Sequence, residues 1–340
     1  MMKSDSIRIS QSVLADVAKT NRVGIARKAA TLKVDPIANL TERNKYYNVE
    51  AIRHLLRYFV HKKEGAIEKN VHVFYNFKGG TGKTSLCYQV ASLVALMGYR
   101  VLAIDMDPQA HLSSMLWFDE AASHHTIYDA LVGGVPFSHC VHTVFEGLDA
   151  IPSNLSLTKL EISLSTKNKR EGLLKKFLEP IKHKYDFIFI DTNPTISISN
   201  INALVASDQV NIVTETQPFS LAGLSLLVEE NEKLGHEMEM AFNFKIIANK
   251  YEAKTVTSQE VLGALRTDYK ESAFKTVVRK NEDINIASKK HLPVCVFANK
   301  KSPGFEDILD LTYELLEMSR KANVPKVGVS KKESPMEKVA

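Results

Sequence analysis

VHVFYNFKGGTGKTSLCYQVASLVALMG, residues 71–98, decides how the rest of the chain is read. A short run of β-branched and aromatic residues leads into a turn of glycine and lysine. A stretch of helical period follows, with Leu86, Val90, Leu93, Val94 and Met97 on one face. Strand, glycine loop and helix form the setting that a phosphate-binding loop requires. Glycines let backbone N–H groups close around phosphate oxygens, and the helix N-terminus adds its partial positive charge. Within FKGGTGKTS (77–85), Lys83 is placed to neutralise β/γ-phosphates and the Thr84 hydroxyl to sit on Mg²⁺. The common pattern G-x-x-x-x-G-K-[ST] fails at its first position, which is Phe77. What stands here is K-G-G-x-G-K-[ST], with a second lysine, Lys78, directly before the glycines.

Outward from this loop the chain alternates. VLAID (101–105), FIFID (187–191), VNIVT (210–214), FKIIA (244–248) and TVV (276–278) are further short apolar runs, separated by longer stretches of helical period. Near-continuous apolar strands between helices predict a doubly wound α/β fold, its mostly parallel sheet covered on both faces. DMDPQ (105–109) places two carboxylates, Asp105 and Asp107, at the C-terminal sheet edge, where ligands bind in such folds. At i and i+2 they leave the strand pointing the same way, able to serve a metal and a water; an ordinary polar strand end has the same look. Asp191, after a buried strand, stands at the usual station of a second-shell Mg²⁺ ligand, or caps a helix.

Composition narrows the classes. The chain has 340 residues, 44% hydrophobic and 24% charged, enough for one large domain or two ordinary ones. No apolar stretch approaches a membrane span, and the opening MMKSDSIRIS lacks a signal-peptide core. Cys87, Cys140 and Cys295 form no C-x-x-C pair, which argues against a disulfide framework or zinc ribbon and fits a reducing, cytoplasmic setting. Membrane, secreted and disordered classes are therefore excluded as expectations. His124, His125, His139, Cys140 and His142 crowd a segment expected to be a loop-rich surface, but their spacing matches no zinc pattern.

Charge is unevenly spread. Of the net +5, residues 1–70 carry +7 and residues 321–340 carry +3, leaving −5 for the stretch between. A basic head on a mildly acidic body suggests two units with different partners, nucleic acid being the obvious one for the head; a solubilising arm is the plainer alternative. The expected boundaries are a head at 1–62, a polar linker at 63–70, a nucleotide-binding body at 71–320 and a disordered basic tail at 321–340. In the head, Ser10 can cap a helix bearing Val13, Leu14 and Val17. RVGIARKAATLKV (22–34) starts a second helix after Asn21, and Asn48 can cap a third bearing Ile52, Leu55, Leu56 and Phe59.

KGGTGKT, DMDPQ and FIFIDTNP, in this order and spacing, resemble the ParA/Soj partition ATPases of the deviant-Walker superfamily that also holds MinD. IPSN (151–154), TQPFSLAGLSLL (216–227) and VVRKNEDINIASKKHLPV (277–294) extend the likeness over nearly all of 71–320. Three places depart from the family pattern. Thr-Asn-Pro-Thr (192–195) replaces Cys-Pro-Pro-Ser, Arg279 replaces proline, and Ile286-Ala287-Ser288 replaces Glu-Ala-Pro.

The resemblance implies an ATPase with ATP/ADP and Mg²⁺ as cofactors. Gly79, Gly80, Thr81, Gly82, Lys83, Thr84 and Ser85 would hold the nucleotide, joined by Asn249 and Lys280. Lys78 would reach the partner's phosphates across an ATP-dependent homodimer. Asp107 would orient or activate the attacking water, with Asp105, Asp191 and Thr84 on the metal side. It further implies non-specific DNA binding by the dimer, for which Lys254, Arg266, Lys270 and Lys275 are candidates, on the nucleoid rather than a membrane. A ParB-like centromere-binding adaptor would stimulate hydrolysis. The head resembles the winged helix–turn–helix heads of the larger plasmid partition ATPases. Its recognition helix would span about 22–31, presenting Arg22, Arg27 and Lys28 to operator DNA for autorepression. A helical dimerisation arm is the structural alternative for the head; a MinD-like membrane-surface ATPase and a nucleotide-responsive regulator are the alternatives for the whole.

Overall fold

The computed structural model of the protein describes residues 6–37, 45–61, 67, 68, 70–119, 124–164, 167–298 and 301–320. The tail at 321–340 and most of the linker at 63–70 lie outside the described residues. β1 (Ile9–Ser10) and β2 (Tyr46–Tyr47) form a small antiparallel pair. β3 (Val71–Tyr75), β4 (Val101–Met106), β5 (His142–Phe145), β6 (Leu148–Ile151), β7 (Phe187–Thr192), β8 (Gln209–Glu215), β9 (Phe244–Tyr251) and β10 (Ala273–Arg279) form one sheet. Its order is β10-β9-β8-β3-β7-β4-β6-β5, and each neighbouring pair is parallel except β5 with β6. The six apolar runs of the sequence are all strands of this sheet. β3 lies between β7 and β8, so the loops that leave these three strands meet at the switch in strand order, where doubly wound folds bind ligands.

The hairpin β5–β6 corrects the expectation of a loop-rich surface after the second strand. Two short helices, Ile127–Leu131 and Phe137–Cys140, precede it, and β6 joins the sheet beside β4. β5 is a four-residue edge strand with three of its residues at least partly exposed, so it carries no apolar run to betray it. The ring of His142 packs edge-on against Phe118 and His124, with centroids 5.5 and 5.0 Å away.

The head follows its caps. Ser10 accepts from Val13 N at the start of α1 (Gln11–Val17), Asn21 from Gly24 N at α2 (Arg22–Leu32), and Asn48 from Ala51 N at α3 (Val49–Val60). An antiparallel bridge joins Ile37 to Tyr46, and residues 38–44 lie outside the described residues.

α4 (Lys83–Leu96) differs from its expected one-sided face: every residue from Leu86 to Leu96 is buried. The sheet covers one side, while α3 and the helix Pro303–Met318 cover the other. One apolar cluster therefore runs from Leu14, Ile25, Ile52, Leu55 and Leu56 of the head through Val90 and Val94 to Phe305 and Leu315. Gly98 permits this contact. Its φ is +96°, and a Cβ there would lie 2.7 Å from the Cβ of Arg57. Arg53 donates to the carbonyls of Ala95 and Tyr99, His61 stacks on Tyr99 at 4.1 Å, and Tyr313 donates to the Val17 carbonyl.

Candidate phosphate-binding site

The loop between β3 and α4 is held from three directions. Asn76 donates to Val213 O of β8 at 2.7 Å and accepts from Lys78 N at 2.9 Å. From β9, Asn249 donates to Thr81 O at 2.7 Å and Lys250 to Gly80 O; within the loop, Lys83 Nζ reaches Lys78 O at 3.2 Å. Three loop carbonyls are thus tied to protein donors, which disposes the loop toward holding an anion through its N–H groups. Gly82 is required twice over, by φ +95° and by Asn249 Nδ2, which a Cβ would meet at 2.3 Å. Thr81 is buried, and its hydroxyl has no hydrogen-bond partner among the described residues. Thr84 and Ser85 open the helix, Ser85 Oγ lying 3.5 Å from Ser288 Oγ.

Three carboxylates line the adjoining strand ends. Asp105 and Asp191 are register partners across β4 and β7. Asp105 accepts from Asp107 N (3.0 Å), Ser113 N (2.8 Å) and Ser113 Oγ (2.7 Å), and that hydroxyl accepts in turn from Ser153 N. Its carboxylate therefore ties the start of α5 (His111–Met115) and the turn after β6 to the sheet. Asp107 is buried and accepts from Gln109 N at 2.9 Å. Asp191 is fully buried with no donor in hydrogen-bonding geometry on either oxygen. Burial, then repulsion from Asp105, pushes its carboxyl well above the usual range, with the Thr84 hydroxyl and the Lys83 ammonium pulling the other way. Burial lowers Lys83 in turn, opposed by the charges of Asp191 and Asp107. Asp105 is raised to about 6, again by burial, against its three hydrogen bonds.

Lys78 is half exposed at the rim, and its ammonium pairs with Glu215 at 3.0 Å. Lys250 pairs with the other oxygen of Glu215 at 2.8 Å. The Glu215 carboxyl lies below its usual range because the two lysines outweigh the effect of burial. Sequence reasoning missed Asn76, Ser113, Glu215 and Lys250. The available signal was a polar residue at the last position of an apolar strand, as at Glu215, or just beyond one, as at Asn76.

The departures from the family pattern have local causes. Thr192 donates to Phe74 O at 2.7 Å, locking β7 to β3, and Asn200 holds the following turn through Asn193 O and Thr195 O. Arg279 forms a forked pair with Asp307, 2.7 Å at its shortest, binding β10 to the helix Pro303–Met318. Lys280 is exposed and pairs with Glu252 at 3.0 Å, while Asn249 lies against the loop. Lys254, Arg266, Lys270 and Lys275 are all exposed around β9, β10 and the helix Val256–Asp268 between them. In the head Arg22 and Arg27 are exposed, whereas the Lys28 ammonium lies 3.3 Å from the centre of the Tyr58 ring, engaged with α3 rather than turned outward.

A glycine loop at the sheet's switch point, a lysine buried beneath it and an unsatisfied carboxylate on the next strand define a P-loop nucleoside triphosphatase. Residues 69–244 match the AAA domain family AAA_31. The chain is 34% identical over 241 residues to the cell division protein PomZ of Myxococcus xanthus, covering 69% of this chain and 74% of that one. It is 31% identical over 242 residues to the sporulation initiation inhibitor protein Soj of Bacillus subtilis, covering 71% and 95%. Among solved structures, a plasmid partition protein of Borrelia burgdorferi bound to AMPPNP superposes with a TM-score of 0.63 at 24% identity, over 74% of this chain and 99% of that one. The Cyanothece McdA(D38A)–ATP complex gives 0.66 at 20% identity, over 74% and 98%. The chain belongs to the ParA/Soj family of partition ATPases. Among the described residues, no helix is long and apolar enough to cross a membrane.

Proposed function

We propose that this partition ATPase segregates DNA as a nucleotide-controlled homodimer, with residues 71–320 as the motor and 1–62 as a DNA-reading head. The observation that carries the motor assignment is the buried Asp191 carboxylate, raised by burial and by Asp105, with only the Thr84 hydroxyl and the Lys83 ammonium beside it to favour its charge. A buried anion left without a donor is expensive unless a ligand completes it. Thr84 and Asp191 fit a Mg²⁺ ion, which when bound supplies charge neutralisation between the β- and γ-phosphates of ATP. Lys83 and the loop N–H groups bind the phosphates, and Asp107 orients the attacking water. Asp105 serves this side indirectly, by fixing the loop that carries Asp107.

Lys78 lies at the exposed rim, where a second ATP-loaded copy would meet it, so dimerisation depends on the bound triphosphate. Lys254, Arg266, Lys270 and Lys275 offer such a dimer a basic surface for DNA backbone. The head supports sequence-specific binding through α2, with Arg22 and Arg27 outward and the β1–β2 ribbon as its wing. A ParB-like adaptor that stimulates hydrolysis and a nucleoid location complete the proposal. The test is light scattering of Lys78→Ala with Mg²⁺ and AMPPNP. A folded monomer at nucleotide concentrations that dimerise the parent supports the reading, and unchanged dimerisation removes the lysine from it.

A further inference from the structure

Glu215 closes β8 with only 9% of its side chain exposed, and each of its oxygens takes a different lysine: Lys78 at 3.0 Å and Lys250 at 2.8 Å. These two partners are not equivalent. Lys250 also donates to Gly80 O, and its backbone stands at φ +54°, a left-handed conformation rarely adopted outside glycine. It is fixed at both ends. Lys78 has one ammonium partner, is 49% exposed, and is followed by Gly79 and Gly80.

Resting on the reading of Lys78 as the lysine that reaches a second copy, we propose that Glu215 is a positioning residue, an internal stand-in for phosphate that holds Lys78 against its own protomer until nucleotide displaces it. Three ammonium groups, those of Lys78, Lys83 and Lys250, converge on one short loop, and Glu215 is the counter-ion that pairs with two of them. A triphosphate arriving at the loop repels Glu215 and competes for the same lysines. Lys78 is the one free to swing away. Lys250 stays and keeps the buried carboxylate neutralised, so release of Lys78 never strands an unpaired anion. Two lysines on one carboxylate thus make the hand-over possible: one holds and the other leaves.

The experiment titrates AMPPNP with Mg²⁺ into full-length protein and follows dimerisation by light scattering. Glu215→Gln weakens the hold and lowers the half-maximal nucleotide concentration about tenfold. Lys250→Met leaves Glu215 to Lys78 alone, tightens the hold and raises that concentration, and adding Glu215→Gln in the double variant reverses the rise. Acetylation of Lys78 by a small acylating reagent in nucleotide-free protein, read by mass spectrometry, increases severalfold in Glu215→Gln. Melting curves check that each variant is folded. An unshifted Glu215→Gln titration, or a Lys250→Met defect that Glu215→Gln does not relieve, overturns the proposal. Those outcomes alongside a monomeric Lys78→Ala leave the dimer reading standing; normal dimerisation of Lys78→Ala overturns that reading too.

Discussion

The end of β4 and the end of β7 carry one aspartate each, side by side in register, and the two have opposite surroundings. At β4 the Asp105 carboxylate is filled by three donors, which anchor α5 and the turn after β6. At β7 the Asp191 carboxylate is equally buried, and among the described residues neither of its oxygens has a partner in full hydrogen-bonding geometry. Burial alone does not separate a structural acid from a ligand-binding one; the count of donors does. A satisfied carboxylate stabilises the fold it sits in, whereas an unsatisfied one costs stability that a cation and a nucleotide can return.

The sharpest way to break this contrast is to neutralise the empty side. Asp191→Asn should lower Mg²⁺-dependent ATP hydrolysis by about 10³-fold or more, measured as phosphate release. In nucleotide-free protein the same change should leave stability unchanged or raise it by about 1 kcal/mol, because the desolvation cost of a buried ionisable group is removed. Loss of both activity and stability would show that Asp191 is holding the fold after all. On the filled side the order reverses. Asp105→Ala strands three donors and should cost about 2–4 kcal/mol in urea unfolding. Ser113→Ala, which breaks the relay to Ser153 N, should cost about 1–2 kcal/mol. If Asp105→Ala unfolded at the parent's urea midpoint, its hydrogen bonds would contribute nothing and the contrast would collapse.

The same contrast marks what could be read from the sequence. The six apolar strands, the phosphate loop and the three head caps are local: each is encoded within a few residues, as Asn48 is with Ala51. The fate of Asp105 depended on Ser113, eight residues away and across a turn, so i and i+2 geometry on a strand did not show that its oxygens are already taken. Glu215 meets Lys78 across 137 residues of chain, a separation over which neither periodicity nor motif carries information. The all-round burial of α4 was equally hidden. Its apolar face is written in its own residues, but the helices that cover its back lie at 49–60 and 303–318. The short, polar β5 left no periodic trace at all.

The last contrast separates the two aspartates by titration. Both carboxyls are raised in the folded protein, so each keeps a proton that the unfolded chain releases near pH 4. Where the folded state binds more protons, stability falls as pH rises. For Asp105 that fall spans from about pH 4 to about 6; for Asp191, well above the usual range, it continues further. Asp186 and Glu215, whose folded values are lowered, act at the acid end instead. Their stabilisation is present above the ordinary carboxylate range and lost as pH falls below it. His61 and His142 are lowered by burial, so stability gains as pH rises toward about 6.5, the ordinary imidazole value. Subtracting the urea-unfolding profile of Asp191→Asn from that of the parent cancels these shared contributions. The difference should decline from about pH 4 upward in nucleotide-free protein, and that decline should be lost when Mg²⁺ and AMPPNP are saturating. A flat difference without nucleotide would mean that Asp191 ionises inside the fold as readily as outside it, and the empty carboxylate would then need no ligand to complete it.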